Sequence, residues 1–176
     1  MKYRTIVADP PWPLKWKFSP GVGTRHLDYS TLPIAEIAEL PVREWAADDC
    51  NLFLWTTNGF LPEALAIVRL WRFEYHLLWT WCKPTGMGAH PRNATEHVVL
   101  ASRGSPPQQM DRHAPQTLNW FQAPTTGHSQ KPEAFLDIVE QVSPGPYLEL
   151  FARRNRLGWD TWGNEALQHV TLEVVA

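Results

Sequence analysis

Short, continuously apolar runs alternating with amphipathic helical segments constrain the fold of this chain more than any other feature. Tyr3 to Ala8 is the first strand-like run and stops at Asp9-Pro10-Pro11; Asn51 to Trp55 is the second and ends at Thr56-Thr57-Asn58. Phe73 to Cys82, Glu96 to Ser102 and Tyr147 to Ala152 continue the series. Pro33 to Leu40 reads as a short helix. Asn58 is placed to cap the next, in which Leu61, Leu65 and Val68 fall at i, i+4 and i+7 with Ala64 and Trp71 on the same side. A further helix opens at Lys131-Pro132-Glu133, sets Phe135, Ile138, Val139 and Val142 on one face, and stops at Ser143-Pro144-Gly145. Strands apolar along their whole length belong in a sheet covered on both faces, so the pattern predicts an α/β fold with a mostly parallel sheet. A chain of 176 residues allows one such core, read as a single domain over residues 1–176.

In folds of this kind ligands sit beyond the carboxyl ends of the strands. Asp9, Thr56, Lys83 and Phe151 all fall there, and so do three stretches without regular period: Trp12 to Leu32, the segment holding Lys83-Pro84-Thr85-Gly86 and His90-Pro91-Arg92-Asn93, and Arg103 to Gln130.

Composition narrows the function classes. Apolar residues make up 44% of the chain and charged residues 19%, a globular balance that excludes a disordered chain. No apolar run approaches the ~20 residues of a membrane-spanning helix and the amino terminus has no signal-peptide core, so a cytoplasmic protein without membrane contact is expected. Cys50 and Cys82 give neither a disulfide framework nor a zinc motif and read as buried apolar residues; the histidine spacings match no ligand pattern, so no metal is expected. The net charge of −2 lacks the signature of a strong non-specific nucleic-acid binder. Between Trp81 and Lys131, however, Lys83, Arg92, Arg103, Arg112 and Lys131 face only Glu96 and Asp111, with His90, His97, His113 and His128 interspersed. That stretch is either a solvated loop or a local basic surface. Of ten tryptophans, Trp55, Trp71, Trp79 and Trp81 lie in apolar runs and are expected in the core, while others are candidates for stacking on bases.

The chemistry concentrates at Asp9-Pro10-Pro11-Trp12. Two prolines directly after a strand remove backbone N–H donors and leave carbonyl acceptors beside a carboxylate. An exocyclic amine on a base ring is a poor nucleophile. The Asp9 carboxylate and the Pro10 carbonyl, accepting from its two N–H bonds, would hold it and favour a lone pair on nitrogen, with Trp12 stacking on the ring. Methyl transfer from a sulfonium demands in-line positioning rather than a strong base.

This motif resembles the signature of the adenine methyltransferase family that includes the catalytic subunit of the mRNA methylation complex and many bacterial and phage DNA methylases. Tyr29-Ser30-Thr31-Leu32, Leu52-Phe53-Leu54-Trp55, Trp81-Cys82-Lys83, Glu96-His97 and Ser129-Gln130-Lys131-Pro132-Glu133 are similar to further family segments, as are Glu149-Leu150-Phe151-Ala152-Arg153 and the closing Trp159 to Asn164. The similarity runs over roughly residues 3–165. It implies a Rossmann-like class I methyltransferase with circularly permuted motif order, the catalytic motif preceding the cofactor motif, and S-adenosylmethionine as cofactor.

By that resemblance Asp9, Glu149, Leu150, Phe151 and Arg153 line the cofactor pocket, Lys131 and Arg153 meet the methionine carboxylate, and Asn164 meets the adenosine moiety, with Asn155 and Glu165 as ribose contacts. For the substrate the candidates are Lys15, Lys17, Tyr29, Lys83, His90, Arg92 and Asn93, on loops expected to rim Asp9. A duplex adenine is unreachable without flipping, and from its small size the chain is expected to lack a separate recognition domain. The compact chain tilts the expectation to DNA over RNA, with a homodimer or a partner subunit left open. The rival expectations are a catalytically silent nucleic-acid scaffold and a methylase of the cytosine amine, whose motif usually begins with Ser or Thr.

Overall fold

The computed structural model describes residues 2–13, 30–87, 91–107, 118–125 and 130–163. In chain order the elements are β1 (Tyr3–Ala8), α1 (Ile34–Glu39), α2 (Val42–Trp45), β2 (Ala46–Thr56), a 3₁₀ turn (Asn58–Phe60), α3 (Leu61–Leu70), β3 (Glu74–Met87), β4 (Asn93–Arg103), β5 (Trp120–Gln122), α4 (Glu133–Val142), β6 (Tyr147–Leu150) and β7 (Trp159–Trp162). The strands form one sheet in the order β5-β3-β4-β2-β1-β6-β7. β1 pairs in parallel with β2 and β6, β3 with β5, and β6 with β7, while β4 runs antiparallel to both β2 and β3. The carboxyl ends of β1, β2, β3 and β6 therefore share one edge with the amino end of β4.

Alternation along the strands divides the core in two. Ile6 and Ala8 of β1, Leu52 and Leu54 of β2, Val99 and Ala101 of β4, and Leu148 and Leu150 of β6 face α1 and α3, which cover them with Ile37, Ala64, Ile67, Val68 and the following Trp71. Val7, Phe53, Trp55, Trp79, Trp81 and Val98 face the other way, under Phe135, Leu136 and Val139 of α4. The predicted mostly parallel sheet with helices on both faces is thus present. Trp55, Trp71, Trp79 and Trp81 are all buried, as expected of core residues.

Several local expectations are corrected. Asn58 does not cap α3: its amide donates to Asn93 and Thr95 instead, and the helix starts after a 3₁₀ turn with Pro62 in its first turn, where a missing N–H goes unnoticed. Leu61 and Leu65 are only partly buried, and Ile67 takes the core position. On α4 it is Leu136 that is buried, with Ile138 and Val142 half-buried. Lys83 to Gly86 belong to β3 and Asn93 to β4, because these antiparallel neighbours keep pairing past the apolar run. Register moves from Cys82 opposite Thr95 to Met87 opposite Asn93, so the surplus residues of β3 bulge, and Pro84 lies in that bulge. β6 ends at Leu150 because Phe151 turns into the left-handed region at φ 63°. Cys50 is buried, but Cys82 is only half-buried. α2, β5 and β7 were not anticipated.

Candidate functional site

β1 delivers Asp9 to the shared edge. The Asp9 backbone N–H donates to the Leu150 carbonyl at 3.3 Å, so the residue is seated between β1 and β6. Beyond it the chain folds tightly: the Pro10 carbonyl accepts the Trp12 N–H at 2.8 Å and the Pro11 carbonyl accepts the Leu32 N–H at 2.9 Å. A carbonyl has two acceptor positions, so Pro10 retains one. Trp12 corrects the expectation of a stacking platform. Its indole is 4% exposed, lies against Phe60 at 5.5 Å with 15° between planes, and donates its N–H to the Trp55 carbonyl at 3.0 Å. Its ring is a buried prop for the Asp9 turn.

Lys131, just ahead of α4, points its ammonium at the Asp9 carboxylate at 2.8 Å and stands 3.5 Å from Glu96, the residue on β4 that faces the same side of the sheet. Glu96 is also paired with Lys83. Lys131 lies 5.3 Å from the centre of the Trp55 ring and Lys83 4.7 Å from that of Trp81, both over indole faces that favour a cation. Asp9, Lys131, Glu96 and Lys83 thus form a chain of alternating charge along the edge. Burial pushes the Asp9 carboxyl above its ordinary range, against the pull of Lys131. Burial alone would lower Lys131, but Asp9 and Glu96 outweigh it and hold the ammonium charged. For Glu96 burial is likewise outweighed, and Lys131 and Lys83 keep the carboxylate below its ordinary range.

A cavity of about 300 Å³ opens beside this chain on the α4 side of the sheet. Asp9, Trp55, Lys131, Glu149, Phe151 and Arg153 are among its lining residues, with Phe135 and Leu136 of α4 and Arg154 completing the wall. The left-handed turn at Phe151 lets the chain leave β6 sharply and wrap the cavity, a strained geometry of the kind found at ligand sites. Gly163 fits under that turn because a Cβ there would lie 2.2 Å from the Ala152 carbonyl oxygen. Glu149 presents an oxygen that is buried and has no hydrogen-bond partner among the described residues. Burial, reinforced by the neighbouring Asp9 charge, pushes its carboxyl up to about 7.

The structure therefore brings together Asp9, Lys131, Glu149, Phe151 and Arg153. It does not bring Leu150, whose side chain is fully buried on the α1/α3 side, or Asn155, which donates to Thr161 at 3.1 Å outside the cavity wall. Pro10, Pro11 and Trp12 support the Asp9 turn rather than line the cavity. Among the substrate candidates, Lys83 is committed to Glu96, Arg92 is exposed, and Asn93 accepts from Asn58 at 2.7 Å. Lys15, Lys17, Tyr29, His90, Asn164 and Glu165 lie outside the described residues. Sequence reasoning missed Glu96 as a partner of Lys131, and Trp55 and Arg154 as wall residues. Glu96 had a signal, since it stands beside His97 at the head of the apolar run. No helix among the described residues is long and apolar enough to cross a membrane.

With that geometry in view, residues 3–165 match the protein family described as MT-A70. The type II methyltransferase M.MunI of Mycoplasma sp is 32% identical over 93% of this chain and 78% of its own length. The human N(6)-adenine-specific methyltransferase METTL4 is 32% identical over 96% of the chain, and the human N(6)-adenosine-methyltransferase catalytic subunit METTL3 is 29% identical over 93%. The chain spans only 39% and 28% of the length of these two human relatives.

Proposed function

The chain belongs to the MT-A70 family, and from that premise together with the geometry of the Asp9 turn we propose that it transfers a methyl group from S-adenosylmethionine to the exocyclic amine of adenine in nucleic acid, DNA in preference to RNA. The observation that carries this reading is the convergence of Asp9, Lys131, Glu149 and Arg153 on one cavity at the strands' carboxyl ends. A donor with a carboxylate, an ammonium and a sulfonium needs both signs of charge from its site. The wall offers Lys131, Arg153 and Arg154 for the carboxylate, and Asp9 and the orphaned oxygen of Glu149 for the cationic groups. The residues present fit the donor, which when bound supplies an electrophilic methyl group. Asn164 and Glu165, outside the described residues, remain the family-derived contacts for its sugar and base.

Asp9 accepts one N–H bond of the adenine amine and the free acceptor position of the Pro10 carbonyl takes the other, which turns the nitrogen lone pair towards the cavity. A carboxylate lifted by burial is a better proton acceptor than one in water, so Asp9 would take up the proton that the amine loses when its new C–N bond forms at the expense of the donor's methyl–sulfur bond, and would pass it to solvent. Lys131, held by Glu96, steadies the Asp9 carboxylate until then. An adenine reaches this edge flipped or from a single strand, with Lys83, Arg92 and Asn93 as candidate contacts beside Lys15, Lys17, Tyr29 and His90, which lie outside the described residues.

Preference for DNA rests on the similarity to M.MunI, which aligns over most of its length. Incubating the pure protein with radiolabelled S-adenosylmethionine and single-stranded DNA, duplex DNA or RNA, then identifying the labelled nucleoside, tests the proposal. Methylated adenine in DNA is the expected result. Cofactor binding without label in any pool would point to a missing partner subunit, and absence of both to a silent scaffold.

A further inference from the structure

The indole of Trp120 is 48% exposed on the edge strand β5, and no ring stacks on it among the described residues. Its mounting is firm. The Asn119 carbonyl accepts the Thr80 N–H at 2.9 Å, the Asn119 amide donates to the Leu78 carbonyl at 3.3 Å, and the Trp81 indole donates to the Ala123 carbonyl at 2.9 Å. Phe121 lies against Phe135 of α4 at 6.0 Å with 23° between planes, which turns its neighbour Trp120 to the opposite face, the α1/α3 side. A scattered surface aromatic needs no explanation, but one clamped before and after in the chain, with its ring left in water, is preorganised for a partner.

Strand register connects this ring to Asp9. Trp120 pairs with Thr80, Thr80 with His97, and His97 with Thr56, a single row across β5, β3, β4 and β2; Thr56 lies two residues beyond the Leu54 that pairs with Ala8. With about 4.8 Å between strands, the row reaches the turn that carries Asp9 roughly 19 Å from β5. The groups along it on the α1/α3 side are Thr80, His97, Thr95, Asn58 and Gln122, none of them acidic, with Asn58 joined to both His97 and Thr95. Arg92, exposed and without an ion-pair partner among the described residues, precedes β4 at the same edge. An aromatic face, neutral hydrogen-bonding groups and a cation are what a single nucleic-acid strand requires, for its bases stack and its phosphates avoid carboxylates. A protein interface on the same ring would want apolar surroundings, yet of the other exposed large apolar residues only Leu118 stands beside it in the chain.

We propose that Trp120 is a stacking platform for a base of the nucleic-acid strand whose adenine Asp9 receives, with that strand running over the α1/α3 side of β3 and β4 and Arg92 meeting one of its phosphates. The donor cavity opens on the α4 side, so strand and donor approach Asp9 from opposite faces of the sheet edge. The proposal rests on the nucleic-acid reading above and adds to it a second point of contact, about 19 Å from the reacting amine. At ~3.4 Å per stacked nucleotide that span holds no more than about six nucleotides, and fewer where the strand is drawn out. The base on Trp120 leaves its own stack to reach the ring, so the platform favours nucleotides that are unpaired on that side of the adenine.

The test is binding of a fluorescein-labelled single-stranded DNA of ~16 nucleotides with one central adenine, measured by anisotropy on the full chain. Trp120→Ala should weaken binding about fivefold to a hundredfold, the range for losing one base stacked on an aromatic ring. Trp120→Phe should keep most of the affinity and Trp120→Leu should not, because Leu supplies apolar area without a π-face. Arg92→Gln should flatten the slope of log affinity against log salt by about 0.7, one phosphate's share on a single strand. Abasic nucleotides placed one at a time, up to about six on either side of the adenine, should reveal a position whose loss weakens wild type and leaves Trp120→Ala unaffected. S-adenosylmethionine affinity, read by calorimetry, reports the integrity of each variant; should Trp120→Ala fold poorly, the Phe and Leu pair carries the comparison. Equal strand binding by wild type, Trp120→Ala and Trp120→Leu overturns the proposal and leaves the adenine-methylation reading standing. Wild type that neither binds nor methylates any strand removes that reading, and this inference with it. Self-association lost in Trp120→Ala by sedimentation, with strand binding unchanged, would assign the ring to a second copy of the chain and equally overturn the proposal.

Discussion

The Lys131 ammonium stands 2.8 Å from the Asp9 carboxylate, an ion pair formed across 122 residues of chain. It ties the turn after the first strand to the segment that opens α4, and so fixes both the proposed acceptor for the amine and the cation proposed to meet the donor. Replacing Lys131 with Ala leaves Asp9 facing Glu96 without the cation between them. S-adenosylmethionine affinity should fall at least about tenfold, read by calorimetry, and Lys131→Arg should recover part of it because it keeps the charge. Asp9→Asn should retain the fold and lose about 10²–10³ in methyl-transfer rate, the scale of a lost transition-state contact. Unchanged transfer by Asp9→Ala would show that the acceptor role is misassigned.

Glu149 carries a stability signature as well. Its carboxyl sits at about 7 against an ordinary 4.5, so between those values the native state binds more protons than the unfolded chain and stability declines as pH rises. The penalty is complete above pH 7 and absent below 4.5. Glu149→Gln removes it: without ligand the variant should be more stable than wild type by roughly 2–3 kcal/mol at pH 8 and equal to it at pH 4, by chemical denaturation.

Glu96 behaves in the opposite sense. Lys131 and Lys83 hold its carboxyl below 4.5 despite burial, so its contribution is present above that value and is lost as pH falls through its folded-state value. Glu96→Gln leaves two cations short of a partner and should cost about 3 kcal/mol at pH 7. Below pH 4 the difference from wild type should shrink, which a pair of denaturation curves will show.

On the other side of the sheet, His97 contacts Thr80 at 3.1 Å and Asn58 at 3.0 Å, and Asn58 in turn donates to Asn93 and Thr95. Because the Asn58 amide nitrogen donates, its oxygen is the acceptor, and His97 presents Nε2–H to it with Nδ1 accepting from Thr80. Asn58→Leu should cost about 1 kcal/mol and loosen the Asn93 end of β4, seen as faster amide exchange from residues 93 to 97.

Gly163→Ala places a Cβ 2.2 Å from the Ala152 carbonyl oxygen and 2.6 Å from its nitrogen, atoms of a backbone that cannot step aside alone. The turn at Phe151 must shift. A loss of about 2 kcal/mol or more in stability is expected, together with weakened donor binding.

Much of this was legible in the sequence for reasons that can be named. Asp9 announced itself because a strand ending in two prolines has few structural uses, and Lys131 because it precedes a proline at a helix start. The two-faced core followed from apolar runs. The partner of Glu96 is not legible in the sequence, since its meeting with Lys131 depends on which face of an antiparallel strand it occupies, and that depends on register. β5 and β7, with three and four residues, are too short to show a period. Nothing marked Phe151 for a left-handed turn, a conformation usually left to glycine. Trp12 was misread because its motif position implied a ligand, whereas Phe60 and the Trp55 carbonyl claim both its ring and its nitrogen.

That claim on Trp12 reaches beyond local packing. The cavity is walled by the α4 layer, yet Trp12 belongs to the α1/α3 layer, anchored there while it holds the turn that aims Asp9. Sequence drift in the α1/α3 layer is therefore harmless to chemistry where it repacks Ile37, Ile67 or Val68 at constant volume. It ceases to be harmless at the Trp12–Phe60 contact, the seam through which the α1/α3 layer can misalign Asp9, the residue proposed to meet the substrate. In a lineage diversifying its substrate, the tolerated changes would stop at that seam.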